Sequence, residues 1–215
     1  MTVLYDYWRS SASYRVRIAL AHFGVTWQSV SVNLLDGSQR GPEHLARNPQ
    51  GLVPALEIDG LMLTQSLAII EYLEETRAKT TVDGGLLPPD AAGRARVRAL
   101  AHGVAMDIHP ICNLSVARHA VDASGGAIKT DDWMRHFITR GLTALELMLD
   151  SPATDRFCHG NQLTMADLCL VPQVFNARRW GVDMDALPRI AAIDAGLAAL
   201  PSVQAAHPDR WAPRA

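Results

Sequence analysis

The chain changes character once, near residue 90, and this constrains its fold more than any other feature: strand and helix patterns alternate before it, and only helical patterns follow. Val3 to Tyr7 is a short apolar and aromatic run suited to a strand. Tyr14 to Phe23 sets apolar Val16, Ile18, Ala19, Leu20 and Phe23 against Arg15, Arg17 and His22, a helical spacing. Thr26 to Val32 alternates apolar and polar residues as a half-buried strand does. Leu52 to Ile58 and Leu61 to Leu63 flank Asp59-Gly60, a dipeptide that favours a hairpin turn. A helix from Ser66 to about Thr76 closes the segment.

In order this reads β-α-β, a short helical connector, then β-β-α, which demands a mixed sheet with helices packed against it. That is the thioredoxin-like plan, and the expected class is an α+β domain followed by an all-α domain. Residues 77 to 91 collect linker residues, including Asp83-Gly84-Gly85 and Pro88-Pro89. The expected boundaries are therefore 1–81, a linker at 82–89, and a helical domain at 90–215. Its helices are predicted at about 92 to 120, 130 to 150, 165 to 179 and 188 to 199. Thr164 and Asp167 have capping-box spacing, with Leu163 and Leu168 placed as a hydrophobic staple, so a helix is predicted to start there.

Composition narrows the function. A chain of 215 residues buries a core without staples, and a formal net charge of -2 offers no general attraction for nucleic acid. No stretch approaches the roughly 18 to 20 apolar residues of a membrane span, and the N-terminal residues lack a secretory pattern. The expectation is a cytoplasmic protein. Cys112, Cys158 and Cys169 form neither a disulfide framework nor a zinc pattern, and the histidines have no ligand spacing, so no metal site is expected.

Several residues carry possible chemistry beside a plain structural alternative. Ser10-Ser11-Ala12-Ser13 lies between the first strand and the first helix, where free N–H groups and the helix dipole favour an anion, though a serine there also caps a helix. Val53-Pro54 opens a strand, where proline is tolerated. Gln65 and Ser66 precede the third helix, and Ser66 reads equally well as its cap. Arg9 is a solvated arginine or a ligand cation, while Arg178 and Arg179 suit a helix C-terminus. His109 and Asn113 are spaced i and i+4, on one face of a helix that Pro110 would kink.

The run WRSSASYRVRIAL at residues 8 to 20 resembles the SSCSWRVRIAL signature of zeta-class glutathione transferases. The resemblance extends through NPQGLVP at 48–54, QSLAIIEYLEE at 65–75, DIHP at 107–110, NLSV at 113–116, and residues 173 to 183. It implies a glutathione transferase fold, a homodimer, glutathione as cofactor, and an active cleft between the domains. It further implies cis-trans isomerisation of maleylacetoacetate or maleylpyruvate, as in aromatic amino acid catabolism, by reversible thiolate addition.

By the same resemblance, Ser10 or Ser11 donates to the glutathione sulfur at the helix start beside Ala12, Ser10 being favoured and Ser11 the stand-in. Gln39, Val53, a cis Pro54, Gln65 and Ser66 hold the rest of glutathione. His109, Asn113, Leu114 and Ser115 contact glutathione or substrate, and Arg9 and Arg179 grip the substrate carboxylates. A hydroxyl donor at a helix N-terminus lowers a thiol pKa from about 8.5 towards neutrality. The family cysteine is replaced here by Ala12, so a mechanism with a protein thiol at that position is excluded. Two alternatives remain at this point: net conjugation or dehalogenation of small electrophilic acids, and a non-catalytic interaction module.

Overall fold

The computed structural model describes residues 1–80 and 84–213, so the expected domain end at 81 and linker start at 82, with Asp83, lie outside the described residues. The chain forms two compact units, Met1–Leu86 together with everything from Ala199 onward, and Leu87–Ala198.

The first unit runs β1 (Val3–Asp6), α1 (Ser11–His22), β2 (Gln28–Ser31), α2 (Pro42–Arg47), β3 (Ala55–Ile58), β4 (Leu61–Thr64) and α3 (Ser66–Arg77). The sheet order is β2-β1-β3-β4, with β2 parallel to β1 and the other pairs antiparallel. Asp59 and Gly60 both have positive φ, at 52° and 78°, as a two-residue hairpin whose twist matches its strands requires.

The second unit runs α4 (Ala91–His102), a π-helical segment (Gly103–Ile108), α5 (Leu114–Ala123), α6 (Thr130–Met148), α7 (Met165–Arg179) and α8 (Pro188–Ala198). The single helix expected over about 92 to 120 is thus three pieces. Pro110 has no N–H to continue the ladder, and Asn113, at φ -68° and ψ 137°, leaves the helical region and starts α5 afresh. His109 and Asn113 therefore do not share one helix face. At the start of α7, Asp167 is fully buried and accepts from Thr164 N at 2.8 Å, Thr164 Oγ1 at 2.7 Å and Cys158 N at 2.9 Å, so one carboxylate ties the helix start to the preceding loop.

A last helix, α9 (Pro201–Ala206), was not expected, and it belongs to the first unit although the sequence assigned everything from residue 90 to the helical domain. The reason is packing. Arg17 Nε donates to Ala206 O at 3.1 Å, Tyr14 meets the His207 ring edge-on at 6.2 Å, and Trp211 stacks on Trp27 at 5.2 Å.

Arg15 and Arg17, read from the sequence as the polar side of α1, are 2% and 0% exposed. The helix is enclosed all round, so Arg17 survives only with partners: it pairs with Asp6 and donates Nη2 to Trp8 O at 2.8 Å. Burial pulls its guanidinium below the ordinary value and Asp6 pulls it back up.

In the second unit α6 approaches the π segment at Gly141, where an added Cβ would stand 2.3 Å from Ile108 Cγ1 and 2.6 Å from its Cδ1. Ile108 is 3% exposed and cannot swing into solvent. Gly141→Ala is therefore expected to destabilise the fold by about 1–3 kcal/mol through overpacking. In urea unfolding, Ile108→Ala introduced together with it should cost less than the two changes separately; additive losses would contradict this packing account.

Candidate active site

The strand register collects the first unit's candidates. Tyr5, next to last in β1, pairs with Ala55 at the beginning of β3, and Ala55 also pairs with Thr64 at the end of β4. The loop after β1, the approach to β3 and the exit from β4 consequently lie at one end of the sheet. Ser10, Val53, Pro54, Gln65 and Ser66 occupy those three segments. Two helices, α1 and α3, begin there, so two helix N-termini, whose first N–H groups have no intrahelical partner, and two positive dipole ends lie at one end of the sheet.

Ser10 is the N-cap of α1, with Oγ accepting from Ser13 N at 3.2 Å. Accepting that bond leaves its O–H proton to donate elsewhere. Ser11 is the first helical residue and is buried, Ala12 is half-buried, and the first turn has no acidic side chain to occupy the N–H groups. Just upstream, Arg9 lies with its guanidinium 5.0 Å from the Trp8 ring and donates Nη2 to Tyr7 Oη at 3.3 Å. Its Nε is buried with no hydrogen-bond partner among the described residues.

The Val53–Pro54 peptide bond is cis. Gln39 lies in a 3-10 turn (Ser38–Arg40), with Oε1 buried and lacking a hydrogen-bond partner among the described residues. Gly51, at φ 62°, packs against this turn so closely that a Cβ would meet Gln39 O at 3.2 Å.

Gln65, not Ser66, is the N-cap of α3, so the capping alternative for Ser66 falls. Gln65 adopts φ 67° and ψ 111° without a glycine's freedom, a conformation that costs about 1–3 kcal/mol and is characteristic of ligand clamps. Its Nε2 donates to Gln50 Oε1 at 2.7 Å. Ser66 is the first helical residue, and its Oγ accepts from Arg15 Nη1 at 3.3 Å. Sequence reasoning missed Arg15. The available signal was a basic residue on a helix with apolar residues at every angle around it.

The second unit carries the remaining candidates. His109 is half-buried and directly follows the π segment, donating its N–H to Val104 O at 3.0 Å in continuation of the i→i−5 pattern. Such segments are frequent at functional sites. Asn113 caps α5, its Oδ1 accepting from Ser115 N and Ser115 Oγ, both at 2.9 Å, so Asn113 and Ser115 are mutually engaged while Leu114 begins the helix. Arg179 is the exposed last residue of α7, 4.8 Å from the Trp180 ring, and neighbouring Arg178 pairs with Asp194 at 2.7 Å. An open groove of about 620 Å³ in this unit contains none of these residues, and its Arg189 is already paired with Asp150 at 2.7 Å.

The protein's three cysteines are all buried. Burial pushes the Cys112 thiol up to about 11 and the Cys158 thiol well above its ordinary value.

Residues 2–75 match the family model for the glutathione S-transferase N-terminal domain. The chain is 62% identical over 213 residues to maleylacetoacetate isomerase of Rhizobium meliloti, covering 99% of this chain and 98% of that protein. The chain belongs to the maleylacetoacetate isomerase family of zeta-class glutathione transferases. Among solved structures, this zeta-class chain is similar to the holo form of a bacterial maleyl pyruvate isomerase of the zeta class, at 40% identity and TM-score 0.90 over 96% of both chains. It is also similar to maleylacetoacetate isomerase of Methylobacterium extorquens AM1 with bound malonate and glutathione, at 40% identity and TM-score 0.90 over 99% of this chain and 100% of that one. Among the described residues of this family member, no helix is long and apolar enough to cross a membrane.

Proposed function

We propose that the chain is a glutathione-dependent cis-trans isomerase of maleylacetoacetate or maleylpyruvate, working as a cytoplasmic homodimer. The observation carrying this reading is the convergence of Ser10, cis Pro54 and Gln65-Ser66 at one end of the sheet, where two helix N-termini lie. The residues fit glutathione by their unused hydrogen bonds: a Ser10 proton suits the sulfur, and the orphaned Gln39 Oε1 suits a ligand N–H. When bound, glutathione supplies the sulfur nucleophile whose reversible addition to the cis double bond permits rotation, and it is released unchanged.

The residues divide the remaining work. Ser10, with Ser11 and Ala12 beside it at the α1 start, holds the sulfur as thiolate. Val53 presents backbone groups to the cysteinyl part, while Gln65 and Ser66 bind the γ-glutamyl carboxylate at the α3 start. Arg9 and Arg179 grip the two substrate carboxylates through planar donor forks, and the buried Nε of Arg9 is a donor available for that purpose. Their positive charge also offsets the charge that develops on the substrate carbonyl. His109, Asn113, Leu114 and Ser115 supply further contacts to glutathione and substrate.

The test is to offer both cis diacids to the purified protein with glutathione far below stoichiometry and follow ultraviolet absorbance. Full conversion with all glutathione recovered is expected, and no conversion without it. Consumption of one glutathione per turnover would replace isomerisation with conjugation, and undetectable glutathione binding would leave a non-catalytic module.

A further inference from the structure

We infer that Arg15 is a positioning residue for glutathione, holding the Ser66 hydroxyl in the rotamer that donates to the γ-glutamyl carboxylate; this rests on the placement of that carboxylate at Ser66 proposed above. Arg15 is 2% exposed on α1, Ser66 is 7% exposed at the start of α3, and Arg15 Nη1 donates to Ser66 Oγ at 3.3 Å across 51 residues of sequence.

Hydrogen-bond polarity makes the consequence specific. A guanidinium has donors only, so Ser66 Oγ must be the acceptor in this contact. A hydroxyl has a single proton and rotates to suit its neighbours. Once one lone pair is committed to Arg15, the proton is turned away from the guanidinium. A carboxylate accepts but cannot donate, and it needs a hydroxyl that is presented proton first. The relay Arg15 to Ser66 to carboxylate therefore runs in one direction, each member donating to the next. Gln65 restrains the same corner through its strained backbone and its bond to Gln50, so Ser66 has little freedom to find another orientation.

The readout is the ratio of dissociation constants for two ligands, measured by calorimetry: glutathione, and γ-aminobutyryl-cysteinyl-glycine, which is glutathione without the γ-glutamyl α-carboxylate. Taking the ratio cancels any general loosening of the site. Wild type is expected to prefer glutathione by about tenfold or more, as suits a hydrogen bond to a charged group. Arg15→Met and Arg15→Gln both withdraw the donor from Ser66, the second keeping a polar group in the buried position in case the first does not fold.

In the folded variants the preference should fall several-fold, the remainder coming from Gln65 and the α3 N-terminus. Ser66→Ala should do the same, and combining it with an Arg15 change should lower the preference no further, because both act through one hydroxyl. Arg15→Lys, which restores a donor, should recover part of the preference. A folded Arg15→Met or Arg15→Gln protein that keeps the wild-type ratio, or that loses both ligands equally, overturns the inference while leaving Ser66 in place. A wild-type protein that binds both ligands alike would instead reject the Ser66 placement, and with it the inference.

Discussion

Asp6→Ala is expected to lower the free energy of unfolding by about 3–5 kcal/mol, the cost of leaving a buried charge without its partner. Asp6 is 3% exposed and Arg17 0%. The carboxylate pairs with Arg17 and accepts from Ser29 Oγ at 2.7 Å. Because Arg17 also donates to the backbone at Trp8 and Ala206, one guanidinium holds together the end of β1, α1 and the C-terminal helix. Ser29→Ala should cost only about 1 kcal/mol, as it removes one uncharged donor and strands no charge. A double change to Asp6→Leu with Arg17→Met should recover much of the loss, since it removes both charges. Urea unfolding midpoints of the three proteins give the comparison, and a loss below about 1 kcal/mol for Asp6→Ala would mean that the pair does not anchor this unit.

Ser10→Ala is expected to leave two traces in one protein. The hydroxyl accepts from Ser13 N and retains a proton for the sulfur, so capping and thiol activation are both lost, instead of separating between Ser10 and Ser11. Loss of the cap should cost about 1 kcal/mol of stability. Loss of a hydrogen bond to an ionised sulfur, about 1.5–3 kcal/mol, should raise the pKa of bound glutathione by about 1–2 units. A raised thiol pKa means less thiolate at neutral pH, so the rate there should fall by about tenfold to a hundredfold and recover as pH rises through the new value. Ultraviolet titration of the bound thiolate reads the shift directly. If Ser11→Ala moved the titration and Ser10→Ala left it alone, Ser11 would be the activator and Ser10 only the cap.

Much of the molecule is legible in the sequence because its signals are local. The period of two in β2, the Asp59-Gly60 turn and the helical spacing over 165 to 179 each depend on residues a few positions apart, and the corresponding elements stand at Gln28–Ser31, Ala55–Thr64 and Met165–Arg179. The helix starts beside Ser10 and Ser66 were legible for the same reason, and so was the chemistry they offer to an anion.

Other properties depended on partners far away in the chain. No local window shows that Arg17 would meet Asp6 and a carbonyl at Ala206, 189 residues on, or that Arg15 would meet Ser66. Periodicity could assign both arginines only to a polar face, because it counts angles around one helix and not what encloses it. Gly141 likewise admits Ile108 of the π segment, a contact between helices, and the choice of Gln65 over Ser66 as cap required backbone angles. The sequence alone determined the order of elements through α3, the start of α7 and the residue types available for thiol and carboxylate chemistry. Tertiary structure decided which of those polar groups are already committed and which retain an open donor or acceptor, because a buried group's remaining hydrogen bonds are set by neighbours that only folding brings within reach.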